Sequence, residues 1–463
     1  MKDDDPEGYQ PRRKGLGLTG HVSKAYVEHQ RKKREERPRS PLMSRSAITG
    51  LGCLHIREEE SDKGSLLVNG SRVVHLNPSA MFYLRHLFAG EDDDHIVRRV
   101  TKTFKVSKAI ARQDLAALKA DIERLERGST PLRGTRAEPL SGPMVAPMRM
   151  DLSLTYRSTA LGEDLKEAQL GRELTVDEWL KALENIWNFG VPHVALTGGE
   201  PTLREELVEI VERASMLGMM VGLLTDGERL GSSAFLGRLA DAGLSYVQVS
   251  IASNIEAIHE KALHTPGHRK TVNAIRNCIK AGMPLLVNIF ATKETEQGIE
   301  DTVESLLGLG VTNITVNPLD LGDQSMPDWA VAKCLEQARK AARGKARVFY
   351  YGPYPGKAPP KAVPGEADST ADLALGELEW GAGLVHMHVH PDGSVTAGRG
   401  HGAILGNVLT HSWNMIWYHS LLKDAREKQV EGRRWRALQE LGFNGYPLFP
   451  GLNVVCETVG ERP

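Results

Sequence analysis

The sequence has few cysteines, almost no net charge and no long apolar run. Each shortage excludes something. Four cysteines stand in 463 residues, at positions 53, 278, 334 and 456, with no CxxC pair among them. That scatter is not the disulfide framework of a secreted scaffold. The formal net charge is −1, so no global field draws the chain to nucleic acid or to an acidic surface. No stretch of about 18 apolar residues occurs, so no membrane-spanning helix is expected. The opening MKDDDPEGYQPRRKG is polar and unlike a secretory signal. These absences point to a cytoplasmic protein without membrane or nucleic-acid partners.

Hydrophobic residues make up 41% and charged residues 25% of the chain, enough to bury sizeable cores. The length suggests two or three domains. Residues 1–48 read as a disordered basic arm containing RKKREERPR (Arg31–Arg39), with a short helix near Val22–Arg34. Residues 50–127 read as a small winged-helix-like α+β domain. Apolar runs flank Asn69-Gly70, a hairpin signal, and three helical stretches follow. In the last of these, Ile110, Leu115, Leu118 and Ile122 fall near helical spacing. Residues 128–147, rich in Gly, Pro, Ser and Thr, read as a linker.

From Met148 the texture changes to alternating strand-like and helix-like runs. Strands are predicted at 149–156, 193–197, 219–225, 246–252, 284–292, 313–319 and 347–351. Glycines 190, 218, 243, 282 and 310 close the intervening helices, where a left-handed residue is favoured. TVDE (Thr175–Glu178) opens the first helix as a capping box. Repeated β-α units predict a parallel sheet in a partial (β/α)6 TIM-like barrel over 148–352, with its site at the strand C-terminal ends. Residues 353–463 read as a small C-terminal extension containing the strand-turn-strand GLVHMHVHPDGSVTAG.

LTGGEPTL closes one barrel strand. Its two glycines permit a sharp turn and a close backbone approach. Glu200 follows, placed to accept hydrogen bonds from an ammonium group, and Pro201-Thr202 can start a helix. With MDLSLTYRS, LLTDGERL, VQVSIAS and HTPGHRKTVNAIRNCIKAGMPLLVNIFATKE, this ordered set resembles the radical S-adenosylmethionine (radical SAM) superfamily. The resemblance implies a cofactor site at Gly198, Gly199, Glu200, Pro201 and Ser250 that takes the methionine part of S-adenosyl-L-methionine. Residues 50–127 resemble a PqqD-like peptide-recognition domain, which implies that a precursor peptide's leader adds as a strand. The expected contacts are Leu66–Leu76 and the helix near Ser107–Leu125. Residues 353–463 resemble a SPASM or twitch extension, and the domain order is that of enzymes that modify ribosomally made peptides.

The family holds a [4Fe–4S] cluster on CxxxCxxC after its first strand. Aligned on LTYR, those positions are Ser158, Gly162 and Leu165, and none is a thiolate. Glu163 and Asp164 suit hard cations better than a sulfide cluster. In the extension, Ala397 and Gly398 stand where a cysteine is expected, and Cys456 is the one survivor. The expectation is a cluster-less, non-catalytic homologue in ribosomal-peptide maturation. It binds a precursor peptide, an active radical SAM paralogue, or both, and retains only weak S-adenosylmethionine binding. One alternative is an active enzyme with atypical cluster ligation. Another is a mononuclear metal protein using His386, His388 and His390, which alternate on one strand, with His401 as a further ligand. Cys278 and Cys334 are expected to be buried on helices, and Trp413 and Trp417 to form a packing pair.

Overall fold

A computed structural model of the chain describes residues 42–46, 53–59, 63–69, 72–126, 144–159, 172–318, 326–349, 383–398, 403–423, 446–449, 452–454 and 456–459. Residues 1–41 of the basic arm, most of the linker, Gly162, Leu165 and His401 lie outside these residues, while Leu42–Ser46, read from the sequence as part of the disordered arm, form a strand. The chain divides into two compact units, the first holding residues 1–145, 187–190 and 455–463.

In the first unit, strands β1 (Leu42–Ser46), β2 (Cys53–Glu58), β3 (Gly64–Val68) and β4 (Arg72–Leu76) form an antiparallel meander. Asn69 has a left-handed backbone at φ 54°, as an Asn-Gly hairpin requires. Three helices follow, Pro78–Phe88, Asp93–Phe104 and Lys108–Glu126. Asn77 caps the first by accepting from the Ala80 amide at 2.8 Å, and Asp92 caps the second by accepting from His95 at 2.8 Å. The core packs Leu54, Ile56, Leu66 and Val74 against Leu84, Ile96, Leu115 and Ile122. Ile110 departs from the expected face and is 41% exposed, while Ala111 is buried in its place. The buried positions 111, 115, 118 and 122 step by four, three and four, and Ile110 lies about 100° off that stripe.

The second unit is built on a ten-stranded sheet. Six parallel strands run β5 (Arg149–Ser153), β6 (His193–Thr197), β7 (Met220–Thr225), β8 (Tyr246–Ile251), β9 (Leu285–Ala291) and β10 (Asn313–Pro318), as expected for the partial barrel. β11 (Arg347–Phe349) flanks β10 in parallel. On the other side β12 (His386–Val389) pairs with β5 in parallel, followed by antiparallel β13 (Ser394–Thr396) and β14 (Gly406–Asn407). The glycines at 190, 218, 243, 282 and 310 all have positive φ, between 64° and 106°. Trp413 and Trp417 stack with ring centroids 5.6 Å apart. A two-stranded pair, β15 (Tyr446–Phe449) with β16 (Leu452–Val454), comes next. β17 (Cys456–Val459), read from the sequence as part of the extension, instead pairs with β4 in the first unit's sheet.

Strands β5 and β6 are buried at every position, as sheets covered on both faces are. One face carries Met150, Leu152, Val194 and Leu196. The other carries Arg149, Asp151 and Ser153 of β5 with His193 and Ala195 of β6, paired by register. Gly222 lies opposite Tyr246, whose hydroxyl sits 2.9 Å from His193 Nε2. A Cβ on Gly222 would fall 2.0 Å from the Tyr246 ring. Gly222→Ala is therefore expected to lower unfolding free energy by about 1–3 kcal/mol in urea titrations. An unchanged midpoint would show that the tyrosine moves freely.

Candidate functional site

The C-terminal ends of β5 and β6 are tied together by backbone bonds that run past the strands. Leu154 donates to the Thr197 carbonyl at 2.8 Å, Gly199 to Thr155 at 2.9 Å and Glu200 to Arg157 at 2.7 Å. Gly198 sits at φ +132°, and a Cβ on Gly199 would meet the Arg157 carbonyl oxygen at 2.0 Å. Both glycines are thus required by close backbone approach rather than by loop freedom.

That turn delivers Glu200, 2% exposed, to the mouth of the barrel. Its Oε1 accepts from the Thr202 amide at 2.9 Å, the Thr202 hydroxyl at 2.6 Å and the Thr225 hydroxyl at 2.8 Å. Its Oε2 accepts from the Asp226 amide at 2.8 Å. Pro201–Leu203 forms the short helical turn that supplies the Thr202 donors. Asp226, at the end of β7, accepts from the Thr159 hydroxyl and, at 2.8 Å, from the Glu228 amide. Glu173 closes the rim on the other side, accepting from Thr155 Oγ1 at 2.7 Å and the Tyr156 amide at 2.8 Å.

Burial, reinforced by the Asp226 charge, pushes the Glu200 carboxyl up to about 7. Burial raises Asp226 as well. Two carboxyls this close share protons as a pair. Further round the rim, burial and the neighbouring His268 lower His259 to about 4. Its Nδ1 faces the Ala252 amide at 3.2 Å.

Ser250 lies in a second polar row, beside Asn288 in register and 3.5 Å from its Nδ2. Asn288 Oδ1 in turn accepts from Thr315 at 2.8 Å and Asn317 at 2.6 Å. His386 and His388 lie in register with Arg149 and Asp151. His388 Nε2 is 3.0 Å from Ser153 Oγ, and His390 Nε2 is 3.1 Å from Thr396 Oγ1. Those nitrogens face hydroxyls, and among the described residues no group of three His, Cys, Asp or Glu is arranged to hold a metal. Ser158 follows β5; Gly162 and Leu165 lie outside the described residues. Burial pushes the Cys278 and Cys334 thiols up to about 12 and about 11, each within a helix.

Asp226, Thr225, Thr202 and Glu173 were not singled out from the sequence. The signal for Asp226 was present, since TDGE ends a barrel strand and strand ends carry such sites.

A family model for the radical SAM superfamily matches residues 156–306. The PqqA peptide cyclase of Methylobacterium nodulans is 30% identical over 304 residues, covering 59% of this chain and 71% of that protein. The chain belongs to the radical SAM superfamily. The PqqA peptide cyclase of Rhodopseudomonas palustris is 31% identical over 223 residues, 45% of this chain. The chain spans 59% of the length of that relative and 51% of the Bradyrhizobium diazoefficiens one. Among solved structures, Streptococcus suis SuiB bound to S-adenosylmethionine superposes with a TM-score of 0.55 at 14% identity, covering 80% of this chain and 87% of that one. SuiB bound to its precursor peptide SuiA superposes at 0.51 and 11% identity, covering 85% and 89%. The family match over residues 156–306 includes the GGE turn.

Glu200 gives a pH dependence with a definite sign. A carboxyl whose folded pKa is raised binds its proton more tightly folded than unfolded. Its contribution to stability is full below its ordinary value of 4.5 and is lost as pH rises toward about 7. Glu200→Gln removes that titration. Relative to the variant, wild type is expected to lose about 1–3 kcal/mol between about pH 5 and pH 8, read from urea midpoints. A pH-independent difference would mean that Glu200 is already ionised in the folded protein at pH 5.

Proposed function

We propose that this chain is a radical SAM protein of ribosomal-peptide maturation that binds a precursor peptide and does not assemble the family's iron–sulfur cluster. The carrying observation is the donor set after β5. No cysteine stands between Cys53 and Cys278. Cys53 is in β2, and Cys278 is sealed inside the helix His268–Lys280. The sequence that follows β5 carries Ser158, Gly162 and Leu165 at the cluster positions, with the carboxylates Glu163 and Asp164 between the last two. Oxygen donors do not fit a soft iron–sulfide cluster.

Peptide binding is supported by the relatives named PqqA peptide cyclase and by the fold shared with a SuiB structure that holds its precursor peptide. The meander and three helices of the first unit supply a module of the kind expected for leader recognition. An active paralogue carrying the full cysteine set is the natural catalytic partner of such a chain.

The residues fit an ammonium-bearing ligand better than they fit a cluster. Among the described residues three donors fill Glu200 Oε1, and Oε2 accepts from the Asp226 amide. The paired carboxyls of Glu200 and Asp226 would hold the amino group of S-adenosylmethionine by charge-assisted hydrogen bonds. Proton sharing within the pair weakens that attraction near neutral pH.

Anaerobic reconstitution with iron and sulfide is expected to leave less than about one iron per chain and no brown chromophore. Introducing Ser158→Cys, Gly162→Cys and Leu165→Cys together should raise iron toward about four per chain. Cluster formation in the wild-type chain, or 5′-deoxyadenosine release under dithionite, would overturn the cluster-less reading and favour atypical ligation. Bound zinc or iron that His388→Ala removes would instead support the histidine-strand reading.

A further inference from the structure

The first unit's sheet does not end at β4. Its order is β1-β2-β3-β4-β17, and β17 comes from the far end of the chain. The pairing is parallel, with Cys456 opposite Val73, Glu457 opposite Val74, Thr458 opposite His75 and Val459 opposite Leu76. Every other junction in this sheet is antiparallel and made between successive strands.

Three features set β17 apart from a built-in edge. It is four residues long. It pairs in the parallel sense, which is slightly weaker per residue. It joins the sheet after more than 300 intervening residues, so its pairing carries a loop-closure cost that the hairpin strands escape. The edge it occupies is well made for its purpose. Val73, Val74 and Leu76 are at most 2% exposed, so β4 is held rigidly by its own side chains. A rigid strand whose outer backbone groups already accept another strand has the chemistry of a β-augmentation site.

We infer that the β4 edge is a docking site for an extended peptide segment and that β17 is its resident, displaceable occupant. Any peptide strand arriving at β4 competes with residues 456–459 of the same chain. The inference deepens the precursor-binding reading above, which seats a strand at this same edge, and the occupancy of the edge by β17 is tested with the chain's own segment, so the two fail separately.

The probe is the occupant itself, a fluorescein-labelled peptide of residues 453–463 carrying C456S to prevent disulfide formation. In the full chain its binding is blocked in cis. A tethered segment acts at an effective concentration of about 1 mM, so for a peptide with a Kd of about 0.1 mM the expected suppression is about tenfold. Adjacent residues of a strand point their N–H groups to opposite sides. Glu457→Pro with Thr458→Pro therefore removes whichever amide serves β4. The double variant is expected to bind the peptide about tenfold more tightly than wild type by fluorescence polarisation. Equal binding by the two proteins, or none to a variant whose circular dichroism matches wild type, would overturn the proposal. A second measurement needs no variant. In the wild-type chain the β4 amides should exchange slowly with deuterium on both sides of the strand. Fast exchange of the outward-facing half would show that β17 does not occupy the edge.

Discussion

A carboxyl group that is almost wholly buried has to find its hydrogen-bond donors inside the protein, and Glu200 is such a group. Its four donors come from the turn after β6, from the last residue of β7 and from the residue beyond it. Its own amide bonds to the loop that leaves β5. One side chain therefore fixes three strand ends against each other. The glycines before it follow from the same constraint. With the Arg157 carbonyl oxygen pressed against Gly199, the chain can carry no side chain there and still deliver the carboxyl to its donors. Asp226 is placed by the same knot, through its amide on Glu200 and its carboxylate on Thr159 and Glu228.

The cluster-less reading proposed above asks a radical SAM scaffold to stand on its protein contacts alone. The ladder from β5 to β10 is carried by backbone pairing and by Met150, Leu152, Val194, Leu196, Val221 and Leu223, all fully buried. None of these contacts passes through Ser158, Gly162 or Leu165. A fold and the reaction it hosts can draw on different residues.

Much of this architecture was legible in the sequence because its signals are local. A glycine that must adopt a left-handed turn announces a helix end, and the five at 190, 218, 243, 282 and 310 did so. Apolar runs of four to six residues announced the buried strands. Ile110 was misplaced because near-helical spacing tolerates one wrong phase, and only packing chose Ala111 instead. Asp226 carried a local signal at its strand end, but its bond to Glu200, 26 residues away, did not, and Glu173 escaped because its partners Thr155 and Tyr156 lie 18 and 17 residues away. β17 escaped for the same reason at greater range. Four residues near the end of the chain carry no mark that says which sheet they join. Such non-local pairings are where sequence patterning has least to offer.

The GGE turn itself changes meaning in this light. Met by its sequence, it points to an ammonium-binding carboxylate. In the folded protein most of that carboxylate's capacity is already spent, since Oε1 is filled by Thr202 and Thr225 and one side of Oε2 by Asp226. Removing the carboxyl would leave those donors buried without an acceptor, a cost of about 1–3 kcal/mol for each group left unpaired. The motif is therefore held in place by the stability of the barrel mouth whether or not a ligand is bound. Its presence identifies the scaffold. The proposed chemistry rests instead on the residues just after β5, among which no cysteine stands.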